Sequence, residues 1–290
     1  MRVLVTGACG FLGSHVVRAL LARGDQVLAF DLLSYAGSEA NLPGGHESQL
    51  VFVRGDVADP VAVAGAFDAC RPDAIVHMAA ETHVDRSLSD PAPFLRTNVI
   101  GTQVVLDAAR KAGTGKIVHI STDEVYGDAV DLPAGRRFVE TDPFNPSSPY
   151  SASKAAAEHL GRAAIRTWRA PIVILRPSNC YGPRQFPEKL IPLVVARITA
   201  GKTVPVYGDG LQVREWLHAA DLARGAVAAL EHGIAGETYN LGGGADRTNI
   251  DVVLYILQIT GTPASCIEYV ADRAGHDRRY AIDSTSAWER

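Results

Sequence analysis

Tyr150 and Lys154 stand four residues apart in Tyr150-Ser-Ala-Ser-Lys154, a spacing that puts both on one face of a helix. A free tyrosine has a pKa of about 10 and is no base at neutral pH. A nearby ammonium favours the phenolate, which can then take a hydroxyl proton as a hydride leaves. The same spacing also describes a surface aromatic that simply pairs with a lysine. Upstream, Ser121-Thr-Asp-Glu-Val-Tyr-Gly127 sets Asp123 beside Glu124. Carboxyls held close resist double ionisation, so one can stay protonated as an acid while the other serves as a base. An isolated Asp-Glu pair is otherwise a solvated loop or a helix cap. Thr122, next to them, can hydrogen-bond and polarise a substrate hydroxyl. Together these groups predict a redox site that also removes a C–H proton and expels water.

Such a site needs a hydride carrier, and the N-terminus predicts one. Gly7-Ala-Cys-Gly10-Phe11-Leu12-Gly13 follows the apolar run 3–6 and opens a helical pattern. The turn needs glycine conformations, a pyrophosphate needs close backbone approach, and a helix N-terminus supplies N–H donors and positive dipole. Asp31 ends the second apolar run, where a carboxylate accepts from a ribose diol and repels a 2′-phosphate, so NAD is expected over NADP. Asp56, after the third run, faces the adenine or caps the next helix.

The elements that must position these residues alternate regularly. Short apolar runs at 3–6, 26–30, 50–54, 74–77, 116–120 and 172–175 are separated by helical patterns at 11–23, 60–70, 91–112 and 150–168. Continuous rather than alternating apolar strands mean burial on both faces, which predicts a doubly wound α/β fold with a parallel sheet. Beyond 177 the alternation weakens into helices near 189–200, 219–232 and 250–258 and strands near 204–207, 237–240 and 267–270. We expect a Rossmann-type domain over 1–176 carrying the catalytic residues, and a smaller lobe over 177–290 closing a cleft at the strands' carboxyl ends.

Composition excludes several classes. The 290 residues suffice for a full core, and 47% hydrophobic with 21% charged residues is ordinary for a globular protein. A net charge of −4 without a basic cluster argues against nucleic acid and membrane surfaces. No run is apolar enough to span a bilayer, and the start at Met1 leads directly into a strand pattern, so no signal peptide is expected. Cys9, Cys70, Cys180 and Cys266 are scattered, which predicts neither disulfides nor a metal site, and a reducing cytoplasm.

The Gly-x-x-Gly-x-x-Gly spacing together with Tyr-x-x-x-Lys resembles the extended short-chain dehydrogenase/reductase family. That resemblance implies that His77-Met78-Ala79-Ala80-Glu81 lines the nicotinamide side, and that Leu32, Ser34, Val57, Thr97 and Cys180 join the glycine turn, Asp31, Tyr150 and Lys154 around NAD. Ser121–Gly127, Ser148-Pro-Tyr-Ser-Ala-Ser-Lys154, Phe186-Pro-Glu-Lys-Leu-Ile-Pro192, Asp272-Arg-Ala-Gly-His-Asp-Arg-Arg-Tyr-Ala-Ile-Asp283 and Glu81-Thr-His-Val-Asp-Arg-Ser87 narrow it. In that order, over nearly the whole chain, they resemble the dTDP-glucose 4,6-dehydratase family.

The implied reaction has three steps. Tyr150 takes the C4 hydroxyl proton of the sugar while hydride passes to NAD. Glu124 then removes the C5 proton as Asp123 protonates the departing C6 hydroxyl. Hydride finally returns to C6 and a proton to C5. Asp123 is the discriminating residue, because epimerases of the family generally lack the acid pair and decarboxylases often carry a small polar residue there. The resemblance also implies that Thr82, Thr122, Asn179, Lys189, Leu190, Pro205, Tyr207, Arg214, Asn249, Arg273 and His276 hold the nucleotide sugar. Arg214 and Arg273 suit a pyrophosphate, although each could equally be a surface ion pair, and Tyr207 suits stacking on the base.

Three departures qualify the match. Cys180 stands where paired asparagines are common, Arg184 replaces a residue that is usually aromatic beside the sugar, and the chain stops at Arg290 in the first turns of a further helix, as though shortened. Alanine-rich helices at 91–112 and 150–168 are implied to form a four-helix homodimer interface, or else pack closely within one chain. A UDP-sugar dehydratase, decarboxylase or epimerase is the same-fold alternative. A dinucleotide-sensing regulator ranks lower, because it would lose the Tyr–Lys pair or the acids.

Overall fold

The computed structural model describes every residue except 47, 134 and 290. The strand expectations hold to within two residues. β1 (Arg2–Thr6), α1 (Phe11–Ala22), β2 (Gln26–Asp31), β3 (Leu50–Arg54), α2 (Pro60–Cys70) and β4 (Ala74–His77) alternate as read. After a short α3 (Val84–Ser89), the helix expected over 91–112 is α4 (Ala92–Phe94), a π-helical turn over Leu95–Ile100 and α5 (Gly101–Ala112). β5 (Lys116–Ile120), α6 (Pro149–Trp168) and β6 (Ile172–Pro177) complete the first half.

All neighbours in the large sheet are parallel. β1 is buried at four of its five residues and β4 at all four, the double-sided burial that a continuous apolar run demands. One face packs on α1 through Val16, Val17 and Leu20. The other packs through Val63, Phe67, Val105 and Leu106 of α2 and α5.

The second half begins with β7 (Asn179–Tyr181), α7 (Leu190–Thr199), β8 (Val204–Tyr207), β9 (Val213–His218) and α8 (Ala219–Glu231). It continues with β10 (Thr238–Leu241), β11 (Asp246–Thr248), α9 (Asn249–Thr260), β12 (Ile267–Val270) and α10 (Thr285–Trp288). The sheet order is β10-β6-β5-β4-β1-β2-β3. The strand order reverses between β1 and β4, the point at whose carboxyl ends doubly wound sheets bind their ligands.

Two placements correct the sequence reading. The helix near 219–232 and the strand near 237–240, expected in the smaller lobe, belong to the large layer. β10 pairs with β6, Tyr239 facing Leu175, and Ala223, Ala226, Ala229 and Leu230 of α8 share a core with α1. Apolar spacing marks that a face is buried without saying which layer covers it. The second correction is an unread three-stranded sheet, in which β7 and β11, neither of them expected, flank the equally unread β9. Its Arg214 and Glu215 are buried, and two charges within a short strand disguise it. β8 and β12 pair separately. The last turns of the chain form α10 as expected, while Arg290 lies outside the described residues. No described helix is long and apolar enough to cross a membrane.

Candidate active site

The turn after β1 is shaped for a dinucleotide. Gly7 has φ +69°, and a Cβ there would lie 2.9 Å from the Ala79 backbone; one on Gly13 would lie 2.0 Å from the Gly7 carbonyl oxygen. Gly10 caps α1 without any side-chain acceptor, so the first-turn N–H groups beside Phe11 and Leu12 stay free for an anion. Asp31 is buried, its two carboxylate oxygens accepting from Cys9 N and Leu33 N at 2.8 Å each. The remaining lone pairs leave room for a ribose diol as well. Leu32 is exposed and Leu33 takes φ +57°, and the Ser34 carbonyl closes the next turn by accepting from Gly37 N.

Asp56 does not cap the following helix. Asp59 does, accepting from Val61 N at 2.9 Å, while Asp56 accepts from Ala58 N at 2.8 Å and pairs with Arg96 at 2.6 Å. Val57 is buried under Gly101, where a Cβ would come within 2.6 Å of it. Met78 and Ala79 donate their N–H groups to Thr6 Oγ1 at 3.1 and 3.2 Å; Ala80 follows them, and Thr97 sits half-buried in the π-helical turn. A Cβ-intolerant turn, free helix donors and a placed carboxylate fit NAD.

His77 is held between Thr6 Oγ1 (2.8 Å) and Thr102 Oγ1 (3.0 Å). Thr102 already donates to Asn98 O, so it accepts from Nε2–H, and Nδ1 accepts from Thr6. Burial, with His119 stacked 5.4 Å away, holds the ring neutral.

The acids lie on the turn beyond β5. Thr122 caps a 3-10 turn over Asp123–Tyr126, accepting from Glu124 N and donating to Asp123 Oδ1, both at 3.3 Å. Asp123 is 3% exposed, and its Oδ2 has no partner among the described residues. Burial, then the neighbouring Glu124, pushes Asp123 well above the carboxylate range. Burial also raises Glu124, but Lys189, Arg214 and Arg273 all oppose that rise. Both carboxyls are therefore raised, Asp123 the further, which makes Asp123 the one suited to hold a proton and Glu124 the one suited to take one.

α6 brings the base. A capping box joins Ser148 and Ser151, with Pro149 in the first turn. Tyr150 is 8% exposed; burial and then Glu124 raise it, against the nearby Thr122 hydroxyl. Lys154 donates to Ile120 O at 2.7 Å, and burial lowers it to about 8 while Glu158 opposes.

The candidate substrate residues divide into two groups. Lys189, Arg214 and Arg273 all lie within electrostatic reach of Glu124. Lys189 reaches Thr82 O at 2.8 Å, Arg214 donates to Val213 O and Asp277 O, and Arg273 meets Asp85 at 3.3 Å. Asn179 Oδ1 is buried without a partner among the described residues. Cys180 contributes to the surroundings of both Asp123 and Tyr150; burial raises its thiol, and Sγ reaches Ser178 O at 3.4 Å.

The second group lies further out. Tyr207, two residues beyond Pro205 on β8, donates to Asp85 at 3.2 Å, with its ring 6.2 Å from His276. His276 pairs with Asp272 at 2.6 Å. Leu190 and Asn249 open α7 and α9. Arg184 is not turned to this cleft: it bonds Ser14 Oγ (3.2 Å) and the His15 ring (3.0 Å) on α1. Its φ of +70° directs the side chain across the loop.

Sequence reasoning missed Tyr280, whose hydroxyl lies 2.7 Å from Asp277 and 3.5 Å from Glu124. It also missed the wholly buried pair Arg176–Glu158. Arg176 bonds Glu158, the Tyr126 hydroxyl and Glu140 O, and Tyr126 donates to Asn240 at 2.7 Å. The signal was present: Glu158 is four residues after Lys154, and Arg176 interrupts an apolar strand. The pair fastens the acid-bearing turn to β6 and α6.

Comparison with known proteins bears on this geometry. Residues 3–242 match the NAD dependent epimerase/dehydratase family. A dTDP-glucose 4,6-dehydratase from Actinoplanes sp. is 47% identical, covering 98% of this chain and 89% of its own. The chain belongs to the dTDP-glucose 4,6-dehydratase family. DesIV of Streptomyces venezuelae, a member of that family solved with NAD and TYD bound, is 46% identical with a TM-score of 0.95, covering all of this chain and 90% of its own. A UDP-glucose 4-epimerase from Thermus thermophilus, in complex with NAD, is 34% identical with a TM-score of 0.92, covering all of this chain and 92% of its own. Overall fold therefore does not separate dehydration from epimerisation within the epimerase/dehydratase family.

Proposed function

We propose that the site dehydrates dTDP-glucose to its 4-keto-6-deoxy sugar nucleotide, with residues 177–290 contributing most of the nucleotide grip. The carrying observation is the unequal pair Asp123–Glu124 set beside Tyr150 and Thr122. When bound, NAD supplies a hydride acceptor for C4 and a hydride donor for C6. Tyr150 takes the C4 hydroxyl proton. The resulting ketone acidifies C5, whose proton Glu124 removes, and Asp123 gives its proton to the C6 hydroxyl, which leaves as water. Glu124 then returns its proton to C5.

That sequence leaves Tyr150 with one proton too many and Asp123 with one too few. Thr122 lies near both, donating to Asp123 Oδ1 at 3.3 Å and acting on the Tyr150 phenol, and is the group that passes the proton back. Lys189, Arg214 and Arg273 serve the diphosphate and oppose the rise that burial imposes on Glu124. The exposed Leu95, Ile100 and Trp168 on the helices that flank the site support a homodimer, and the unpaired cysteines support a reducing, cytoplasmic compartment. The test is incubation with dTDP-glucose and with UDP-glucose, followed by the mass of the product. Loss of one water from dTDP-glucose is expected; an isomeric product, or preference for UDP-glucose, would refute the assignment.

A further inference from the structure

β1 lies between β4 and β2 in the sheet. The glycine turn after β1 therefore opens between the segments that leave its two neighbours, and those segments meet. Arg86, on α3 after β4, stacks on the Tyr35 ring in the loop after β2, 3.6 Å from its centroid. The Tyr35 hydroxyl donates to Glu188 Oε1 at 2.9 Å, and Phe186 meets the same ring edge-on at 5.4 Å. Glu188 Oε2 also lies 3.7 Å from Arg86 Nη2. Because β1 separates β4 from β2, the Arg86–Tyr35 contact joins the segments that leave the strands on either side of the glycine turn.

We propose that Tyr35, Arg86 and Glu188 form a strap across the cofactor crevice that slows the release of NAD. The proposal rests on NAD lying along the Gly7–Gly13 turn. The reaction calls for retention, since the hydride removed from C4 must return to the same sugar, and cofactor lost between those steps would strand an oxidised intermediate. The strap is not what folds its own loop. Ser38 N and Asn41 Nδ2 already tie the loop to Cys9 O at 3.0 and 2.9 Å, and Arg18 holds Asn41 O at 2.6 Å. Tyr35 is left to reach outward. Burial and the Glu188 carboxylate raise its phenol, so it remains a donor across the neutral range.

The test is the rate at which NAD leaves the intact, NAD-loaded protein after rapid dilution, in Tyr35→Ala and Arg86→Met variants. Losing a cation–π stack and a hydrogen bond to a carboxylate should speed release by about tenfold in Tyr35→Ala and by roughly threefold in Arg86→Met. Melting of the NAD-free protein should stay unchanged. Release at close to the native rate in both variants would overturn the strap, as would a parallel loss of NAD-free stability, which would mark the contact as loop packing. Asp31→Ala separates the underlying placement: if equilibrium NAD binding survives that change undiminished, the cofactor site itself is wrongly assigned.

Discussion

Replacing Arg176 by methionine tests whether the acid turn is held by a buried charge. Arg176 and Glu158 side chains are both 0% exposed. Methionine fills much of the arginine stem's volume but leaves Glu158 with Arg162 alone, at 2.9 Å and from a side chain that is 36% exposed. Breaking a buried pair from one side costs about 3–5 kcal/mol. Arg162 tempers this, so the lower end applies, roughly 3 kcal/mol, or a melting drop of about 6–12 °C for a chain of this size. Arg176→Met with Glu158→Gln leaves no orphan charge and should recover at least half of the drop. Calorimetry of the single and double variants measures both values. Function should follow a different course, because the double variant still lacks the donor that holds the Tyr126 hydroxyl three residues after Asp123. Single-turnover elimination should therefore remain slower than native even where stability has returned. A single variant that melts within about 2 °C of native, or a double variant no more stable than the single, would refute the role given to the pair.

The other predictions concern the chemistry directly. Asp123→Asn should slow elimination by about 10²–10⁴-fold, the usual worth of a general acid, while the first hydride transfer, followed by NADH absorbance in a single turnover, changes by only a few-fold; equal loss in both steps would remove Asp123 from the acid role. Lys154 is lowered from 10.5 to about 8 by burial, so its ammonium is present below that pH and lost above it. The rate of C4 oxidation should fall as pH rises through that value rather than near the ordinary lysine value of about 10.4. Glu158→Gln removes the carboxylate that raises Lys154 and should move this limb to lower pH, and a limb left in place or moved upward would contradict the coupling.

Much of this site is legible in the one-dimensional chain, because local geometry follows from local composition. The spacing of Tyr150 and Lys154 makes one helix face, the closely spaced glycines make a turn that a Cβ would block, and doubly buried strands must read as unbroken apolar runs. The same locality explains the failures. Nothing near Thr238–Leu241 says that the strand will return to β6 rather than pair within the smaller lobe, and Arg214 and Glu215 look unlike a strand until their distant partners are known. Arg184 looks like a sugar neighbour until a left-handed backbone turns it onto α1.

The division of labour between Asp123 and Glu124 is the sharpest case. Their adjacency is written in the sequence, but how far each is raised depends on burial around both and on cations: Arg214 opposes the rise in both, and Lys189 and Arg273 add to that opposition at Glu124. Sequence alone determined which chemical groups were available and in what local geometry. Tertiary structure decided their protonation and their aim, since those depend on desolvation and charges contributed by segments far apart in the chain.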